Sequence, residues 1–162
     1  MKRIIKFAIL FFAGASILAS CDKNDPILFQ QKDAFVAFPV SSGTVKERQV
    51  LPDQTKAIDT INIVVMVTSI SKDPLTVNFD LDTTGFGSAA AVEGVAYTLL
   101  NSEKVLSFPN GWGYDTIKIA TINDDVFTGN RNVKIVLGTN SIGYSNGTES
   151  TYTLTITDEE HP

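Results

Sequence analysis

The chain has 162 residues, of which 43% are hydrophobic and 9% aromatic, a composition that supports a packed domain and excludes a wholly disordered chain. It carries 18 acidic and 13 basic residues, for a formal net charge of −5, and this acidic balance argues against nucleic acid as a partner. The single cysteine excludes an intrachain disulfide.

The first 20 residues have the three parts of a secretory signal peptide. Three basic residues lie within the first six, an apolar run extends from Phe7 to Ala19, and small residues precede Cys21. The 13 residues of this run make a helix of only ~20 Å, whereas a membrane-spanning helix crosses ~30 Å of hydrocarbon. Residues 1–20 are therefore predicted to be removed on export. The remaining 10 basic and 18 acidic residues then give a net charge of −8.

The exit of this segment, Leu18-Ala19-Ser20-Cys21, resembles the lipobox of bacterial lipoproteins, in which the cysteine thiol is acylated and the peptide is cut just before it. The resemblance implies that Cys21 is the mature N-terminus and carries palmitate-type acyl chains that anchor the protein in the bacterial outer membrane. Asp22 and Asp25 resemble the acidic export signals of Bacteroidetes surface lipoproteins, which implies an outward orientation; the inner leaflet stays open as the alternative. Residues 21–34 are mostly polar and are predicted to form a lipidated tether.

From Ala34 onward the hydrophobic residues recur with a period of two, which indicates half-buried β-strands. Seven strands are predicted, at residues 35–40, 61–67, 75–82, 105–108, 114–122, 133–137 and 152–156. Turn-forming residues separate them at 72–74, 85–87, 109–111, 128–130 and 145–147. No sustained helical stripe follows the signal peptide. The pattern predicts an all-β, antiparallel two-sheet sandwich over residues 35–162.

Six short motifs, taken in order, resemble a Calx-beta domain over about residues 60 to 160. They are GVAY at 94–97, VLSFPNG at 105–111, IKI at 117–119, INDDVF at 122–127, VKIVL at 133–137 and TLTITDEE at 153–160. The resemblance implies an immunoglobulin-like sandwich, and the best-known members of the family bind Ca²⁺ through acidic loops at one end. Similar sandwiches occur in Bacteroidetes surface lipoproteins.

The resemblance also implies which residues would form a Ca²⁺ site. The positions that match acidic residues of the family are Asp124, Asp125, Asp158, Glu159 and Glu160. Ala96 stands where the family has a turn aspartate, and Thr128, Asn130 and Arg131 occupy a stretch that is acidic in the family. Because Ca²⁺ takes about six to eight oxygen ligands, these departures remove several of them. Two interpretations stay open: a Ca²⁺ site, or a solvated acidic turn in which Arg131 replaces the metal as the counter-charge to Asp125 or Asp158.

The sequence does not place the residue types that most enzymes use for catalysis where they could act together. The only histidine, His161, is one residue from the C-terminus, where chains usually fray, and an acylated Cys21 is not a nucleophile. No Gly-rich loop opens a helix, and the sequence does not place two carboxylates across a cleft. The chain is therefore predicted not to be an enzyme.

Aromatic residues near turns are the remaining binding candidates. Trp112 lies between two glycines, where its indole either projects to stack on a sugar or a partner protein, or folds back to cap the sandwich. Tyr114 and Tyr144 are the other candidate ligand contacts.

Taken together, the sequence predicts a lipid-anchored, non-catalytic binding or assembly module of the cell envelope that needs no cofactor. Its partners are the membrane, through the anchor, and an envelope protein or polysaccharide. The alternative is a Ca²⁺-binding structural or regulatory domain of the Calx-beta type, and the third interpretation is a carbohydrate-active enzyme.

Overall fold

The computed structural model describes residue 30 and residues 33–47, 60–122 and 127–158. The predictions for several positions fall outside these ranges: the signal peptide with Cys21, the pair Asp124 and Asp125, and the C-terminal Glu159, Glu160 and His161.

The described part consists of β-strands joined by loops and one short 3₁₀ helix, Gly87–Ala89. The strands are β1 (Phe35–Ala37), β2 (Ser42–Lys46), β3 (Thr60–Thr68), β4 (Leu75–Asp82), β5 (Tyr97–Leu99), β6 (Val105–Phe108), β7 (Gly113–Thr121), β8 (Arg131–Asn140), β9 (Ser145–Asn146) and β10 (Thr151–Thr157). Within the described ranges, no helix has the length and apolar character needed to cross a membrane.

Two five-stranded sheets form the sandwich that the alternating pattern predicts. The first sheet has the strand order β5-β7-β3-β1-β9, and the second has the order β2-β10-β8-β4-β6. Most neighbours are antiparallel, as in β3 and β7, where Ile63 lies opposite Ile117. The two parallel pairs are β1 with β9 and β2 with β10.

The core lies between the sheets and is built from alternate residues of the long strands. In β4, Leu75, Val77 and Phe79 are buried, while the residues between them are exposed. Because successive side chains of a strand point to opposite faces, a period of two in the sequence becomes one buried face and one solvated face. Full burial of each such side chain contributes roughly 1.5–3 kcal/mol, so these long strands dominate the stability of the domain.

Three short strands go beyond the seven that the sequence predicts. β2 has an exposed-and-intermediate burial pattern and contains Gly43, β5 has only three residues, and β9 falls where a turn is predicted at 145–147. None of them is long or apolar enough to give a period. The predicted strand at 35–40 ends at Ala37, because the chain then crosses from the first sheet to the second and buries Phe38 in the core.

Candidate functional site

The loops of the sandwich gather at two opposite ends. One end, which we call the Trp112 end, is formed by the loops at residues 69–74, 109–112 and 141–144, which follow β3, β6 and β8. The opposite end, which we call the Asp158 end, is formed by Glu47, residues 127–130 and Asp158. These residues lie beside the ends of β2 and β10 and the start of β8.

The turn at the Trp112 end is held in a fixed position by Gly111. This glycine has φ +74°, a left-handed conformation that disfavours other residues, and a Cβ on it would lie 2.7 Å from the carbonyl oxygens of both Ser71 and Asp73. The turn is therefore in close contact with the 69–74 loop. Trp112 follows directly and is 56% exposed, so its indole projects to solvent rather than capping the sandwich.

Hydrogen bonds within the 69–74 loop fix the surface that the turn contacts. The Ser69 hydroxyl accepts from the backbone N–H of Ser71 at 2.9 Å, and the Ser71 hydroxyl donates to the Asp73 carboxylate at 2.8 Å. The Tyr144 hydroxyl lies 3.2 Å from Ser69 Oγ, which ties the third loop of this end to the other two. Such local side-chain bonds order a loop before any ligand arrives.

Lys72, Asn110 and Trp112 together line a concave depression of about 330 Å³ at this end. The Lys72 ammonium and the Asn110 amide are both exposed, and neither has a hydrogen-bond partner in the part of the chain that the structure describes. The depression thus combines an aromatic face, an amide with donors and an acceptor, and a positive charge.

The two tyrosines that the sequence singles out have different surroundings. Tyr114 is 73% exposed and lies opposite Met66 on the outer face of the first sheet, outside the depression. Tyr144 is half-buried, packs against the core and reaches Ser69 with its hydroxyl. Of the three candidate aromatic residues, Trp112 alone lines the depression.

At the Asp158 end, the carboxylate of Asp158 holds the loop that precedes β8. Its Oδ2 atom accepts hydrogen bonds from the backbone N–H groups of Thr128 and Gly129, the latter at 2.7 Å. The observed role of the Asp158 carboxylate in this loop cluster is to accept hydrogen bonds from backbone amides.

Arg131 lies in the same cluster. Its guanidinium donates to the carbonyl oxygen of Ser88 at 3.0 Å and to Thr128 Oγ1 at 3.4 Å. Arg131 and Asp158 are therefore linked through Thr128, which contacts both. Since Asp125 lies outside the described residues, its pairing with Arg131 stays a prediction.

Glu47 belongs to this end as well, although the sequence gives no signal for it. The backbone N–H of Glu47 donates to the carbonyl oxygen of Thr157 at 2.9 Å, so Glu47 continues the parallel pairing of β2 with β10 beside Asp158. Its side chain is 3% exposed and lines a small cavity with Arg131.

The described residues do not form a carboxylate cage for Ca²⁺. Over these ranges no three His, Cys, Asp or Glu side chains come together in a geometry that holds a metal. The guanidinium of Arg131 adds a positive charge where the ion would need a negative one, and Asp158 already accepts two backbone bonds. A hard divalent cation requires several free carboxylate oxygens, so these residues do not fit the group.

Two groups with perturbed pKa values have structural explanations. Burial first, and then the charges of Glu93 and Asp80, raise the pKa of Tyr97 to about 12. A hydrogen bond from Lys104, at 2.7 Å, is the main cause that lowers the pKa of the exposed Asp80 carboxyl. A phenol that titrates far above neutral pH and a solvated ion pair are poor acid–base catalysts.

Comparison with known proteins identifies the family. Residues 41–160 match the Calx-beta domain, which covers most of the chain. The chain belongs to the Calx-beta domain family. No curated protein matches the chain significantly in sequence.

Solved structures of Calx-beta domains share this fold. The apo form of the Calx CBD1 domain has 20% identity and a TM-score of 0.60, with 78% of this chain and 98% of that one aligned. The calcium binding domain CBD12 of CALX1.1 has 22% identity and a TM-score of 0.59, over 78% of this chain and 46% of that one. A putative carbohydrate binding protein from Bacteroides ovatus has 12% identity and a TM-score of 0.54, over 76% and 36%. This Calx-beta chain thus spans under half the length of the last two.

Proposed function

We propose that this Calx-beta protein is a lipid-anchored, non-catalytic binding module of the bacterial outer membrane, and that its ligand-contacting surface is the Trp112 end. The anchor is Cys21, attached through a tether to a sandwich that faces the cell exterior. The module holds an envelope partner or a polysaccharide at the membrane surface and does not transform it.

The exposure of Trp112 is the observation that carries this proposal. A solvent-facing indole offers a large, mostly apolar face with one N–H donor to a partner. Here the indole projects from a turn that Gly111 fixes against the 69–74 loop. An apolar group displayed on a rigid support, next to polar groups, is typical of a binding surface.

A photo-cross-linking amino acid at position 112, in protein expressed on intact cells, tests the binding surface. The matched control carries the same amino acid at position 127, since Phe127 is also an exposed aromatic residue but lies at the Asp158 end. We expect cross-linked species that depend on position 112. Equal or absent cross-linking at the two positions would contradict the proposal.

The anchor has its own test. Because acylation requires the thiol of Cys21, the variant Cys21→Ala should accumulate as uncleaved precursor and lack the acylated N-terminus that anchors the mature protein. Mass spectrometry of the N-terminal peptide and detergent partitioning measure the two effects. Ser20→Ala, which keeps a small residue before the cysteine, is the control. Normal processing and retention of Cys21→Ala would rule out the lipid anchor.

A further inference from the structure

We infer that the depression at the Trp112 end binds an acidic saccharide, that is, a sugar chain whose pyranose rings carry carboxylates. This inference rests on the proposed function, since it names the ligand class of the same surface. It is drawn from the three groups that line the depression and from the charge of the whole protein.

The indole of Trp112 supplies a flat apolar face. One face of a pyranose ring carries several C–H groups, which pack on an aromatic ring much as apolar side chains do. Because Gly111 and the hydrogen bonds of the 69–74 loop fix the turn, little conformational entropy is lost when a ring stacks there. The depression, at about 330 Å³, matches one or two sugar rings better than a folded protein surface.

Asn110 and Lys72 supply the polar contacts at the edge of that face. The Asn110 amide has two donors and an acceptor, which suit the vicinal hydroxyls of a sugar. The Lys72 ammonium has no ion-pair partner among the residues that the structure describes; the salt bridge found there joins Lys104 to Asp80. The neighbouring Asp73 carboxylate is turned towards its own loop, where it accepts from the Ser71 hydroxyl, and it is not among the described residues that line the depression.

The net charge of the protein determines what the position of Lys72 says about the ligand. The chain has a formal net charge of −5, so an acidic polymer is repelled by the protein as a whole. A cation beside the exposed indole offsets this repulsion locally and favours a carboxylated ring over a neutral one. Three different recognition groups therefore point to one class of ligand.

The experiment uses the intrinsic fluorescence of Trp112, which is the only tryptophan of the chain. The probes are trimers of β-1,4-glucuronate, β-1,4-mannuronate and α-1,4-galacturonate, each paired with the neutral trimer that has a CH₂OH group in place of the carboxylate. We expect a saturable change in emission with at least one acidic trimer and binding about tenfold weaker, or none, with its neutral counterpart. Added salt should weaken the acidic trimer selectively.

Single variants test which residues bind the trimers. Calorimetry measures binding for the variant that lacks the indole. Lys72→Ala should weaken the acidic trimer about tenfold and leave the neutral trimer unchanged, and Trp112→Ala should weaken both at least tenfold. The matched controls are Lys118→Ala, which removes an exposed lysine of β7, and Phe127→Ala. Equal melting temperatures show that the variants fold.

The outcomes separate this inference from the proposed function. Equal binding of acidic and neutral trimers, no effect of Lys72→Ala, or no binding of any trimer overturns the acidic saccharide. If position 112 still gives specific cross-links on cells in that case, the binding surface stands; its ligand is then a saccharide without a carboxylate preference where both trimers bind equally, and a protein where no trimer binds. If position 112 gives none, the proposed function fails as well.

Discussion

The Asp115 carboxylate of β7 accepts a hydrogen bond from the backbone N–H of Ser107 in β6 at 2.8 Å, although the two strands belong to different sheets. Its other oxygen accepts from the backbone N–H of Thr116 at 2.7 Å. One side chain thereby fixes the path of the β6–β7 connection, which carries Trp112.

Replacing this carboxylate should loosen the connection. Asp115→Ala removes the acceptor of an exposed Ser107 amide, which water can then solvate, so we expect the free energy of unfolding to fall by only about 0.5 to 1.5 kcal/mol. Urea denaturation measures the change, and Glu103→Ala, at an exposed residue of the preceding loop, is the control. A loss no larger than that of Glu103→Ala would show that the bond to Ser107 contributes nothing net.

Two glycine variants separate a backbone preference from a steric contact. Gly111 and Gly143 both have positive φ, +74° and +84°, but only Gly111 has atoms where a Cβ would stand. Gly143→Ala should therefore lower the free energy of unfolding by about 1 kcal/mol, and Gly111→Ala by roughly 2 to 4 kcal/mol, because the backbone of Asp73 must also move. Thermal unfolding compares them. Equal losses would mean that the turn and the 69–74 loop are not in tight contact.

A third prediction concerns Ca²⁺. If the Arg131 guanidinium is the positive charge of the Asp158 end, millimolar Ca²⁺ should not raise the melting temperature of the wild type. Arg131→Glu should lose about 1 to 2 kcal/mol without Ca²⁺ and recover part of it when Ca²⁺ is added. Mg²⁺ at the same ionic strength is the control. A clear rise for the wild type with Ca²⁺ alone would restore the metal-dependent interpretation.

The buried phenol of Tyr97 predicts a loss of stability at high pH. Its side chain is 2% exposed, and its pKa is raised from 10.0 to about 12 in the folded state. A raised pKa means that the folded state favours the neutral form, so this stabilisation is complete below pH 10 and is lost as the pH rises from 10 towards 12. Tyr97→Phe should flatten that part of the melting-temperature profile, whereas Tyr114→Phe, at an exposed ring, should not. Identical profiles for all three proteins would contradict the assignment.

The long strands were predictable from the sequence because each repeats a local pattern. Leu75 to Leu81 in β4 alternate strictly, so burial of one face follows from period alone. β9 was not predictable: Ser145 and Asn146 read as turn residues, and they join the sheet only because β1 lies alongside. Whether such a short edge strand forms depends on pairing with a distant strand rather than on local sequence preference.

The same distinction applies to the candidate site. The two glycines beside Trp112 indicate a turn, but the exposure of the indole depends on Gly111 meeting a loop some forty residues earlier in the chain. Glu47 lies beside Asp158 because β2 and β10 pair in parallel, and no local motif encodes that register. Parallel neighbours far apart in sequence are the contacts that sequence patterns reveal least.

The crossing of the chain from β1 to β2 has a mechanical consequence. Phe35 lies opposite Thr68, so β1 enters the domain at the Trp112 end and runs away from it. A pull directed along β1 from its N-terminal side loads the hydrogen bonds to β3 and β9 in shear, all at once rather than one by one. Should β1 slip, the tension passes through Phe38 to β2, which pairs with β10 in the other sheet. A domain loaded along β1 in this way resists unfolding through both of its sheets.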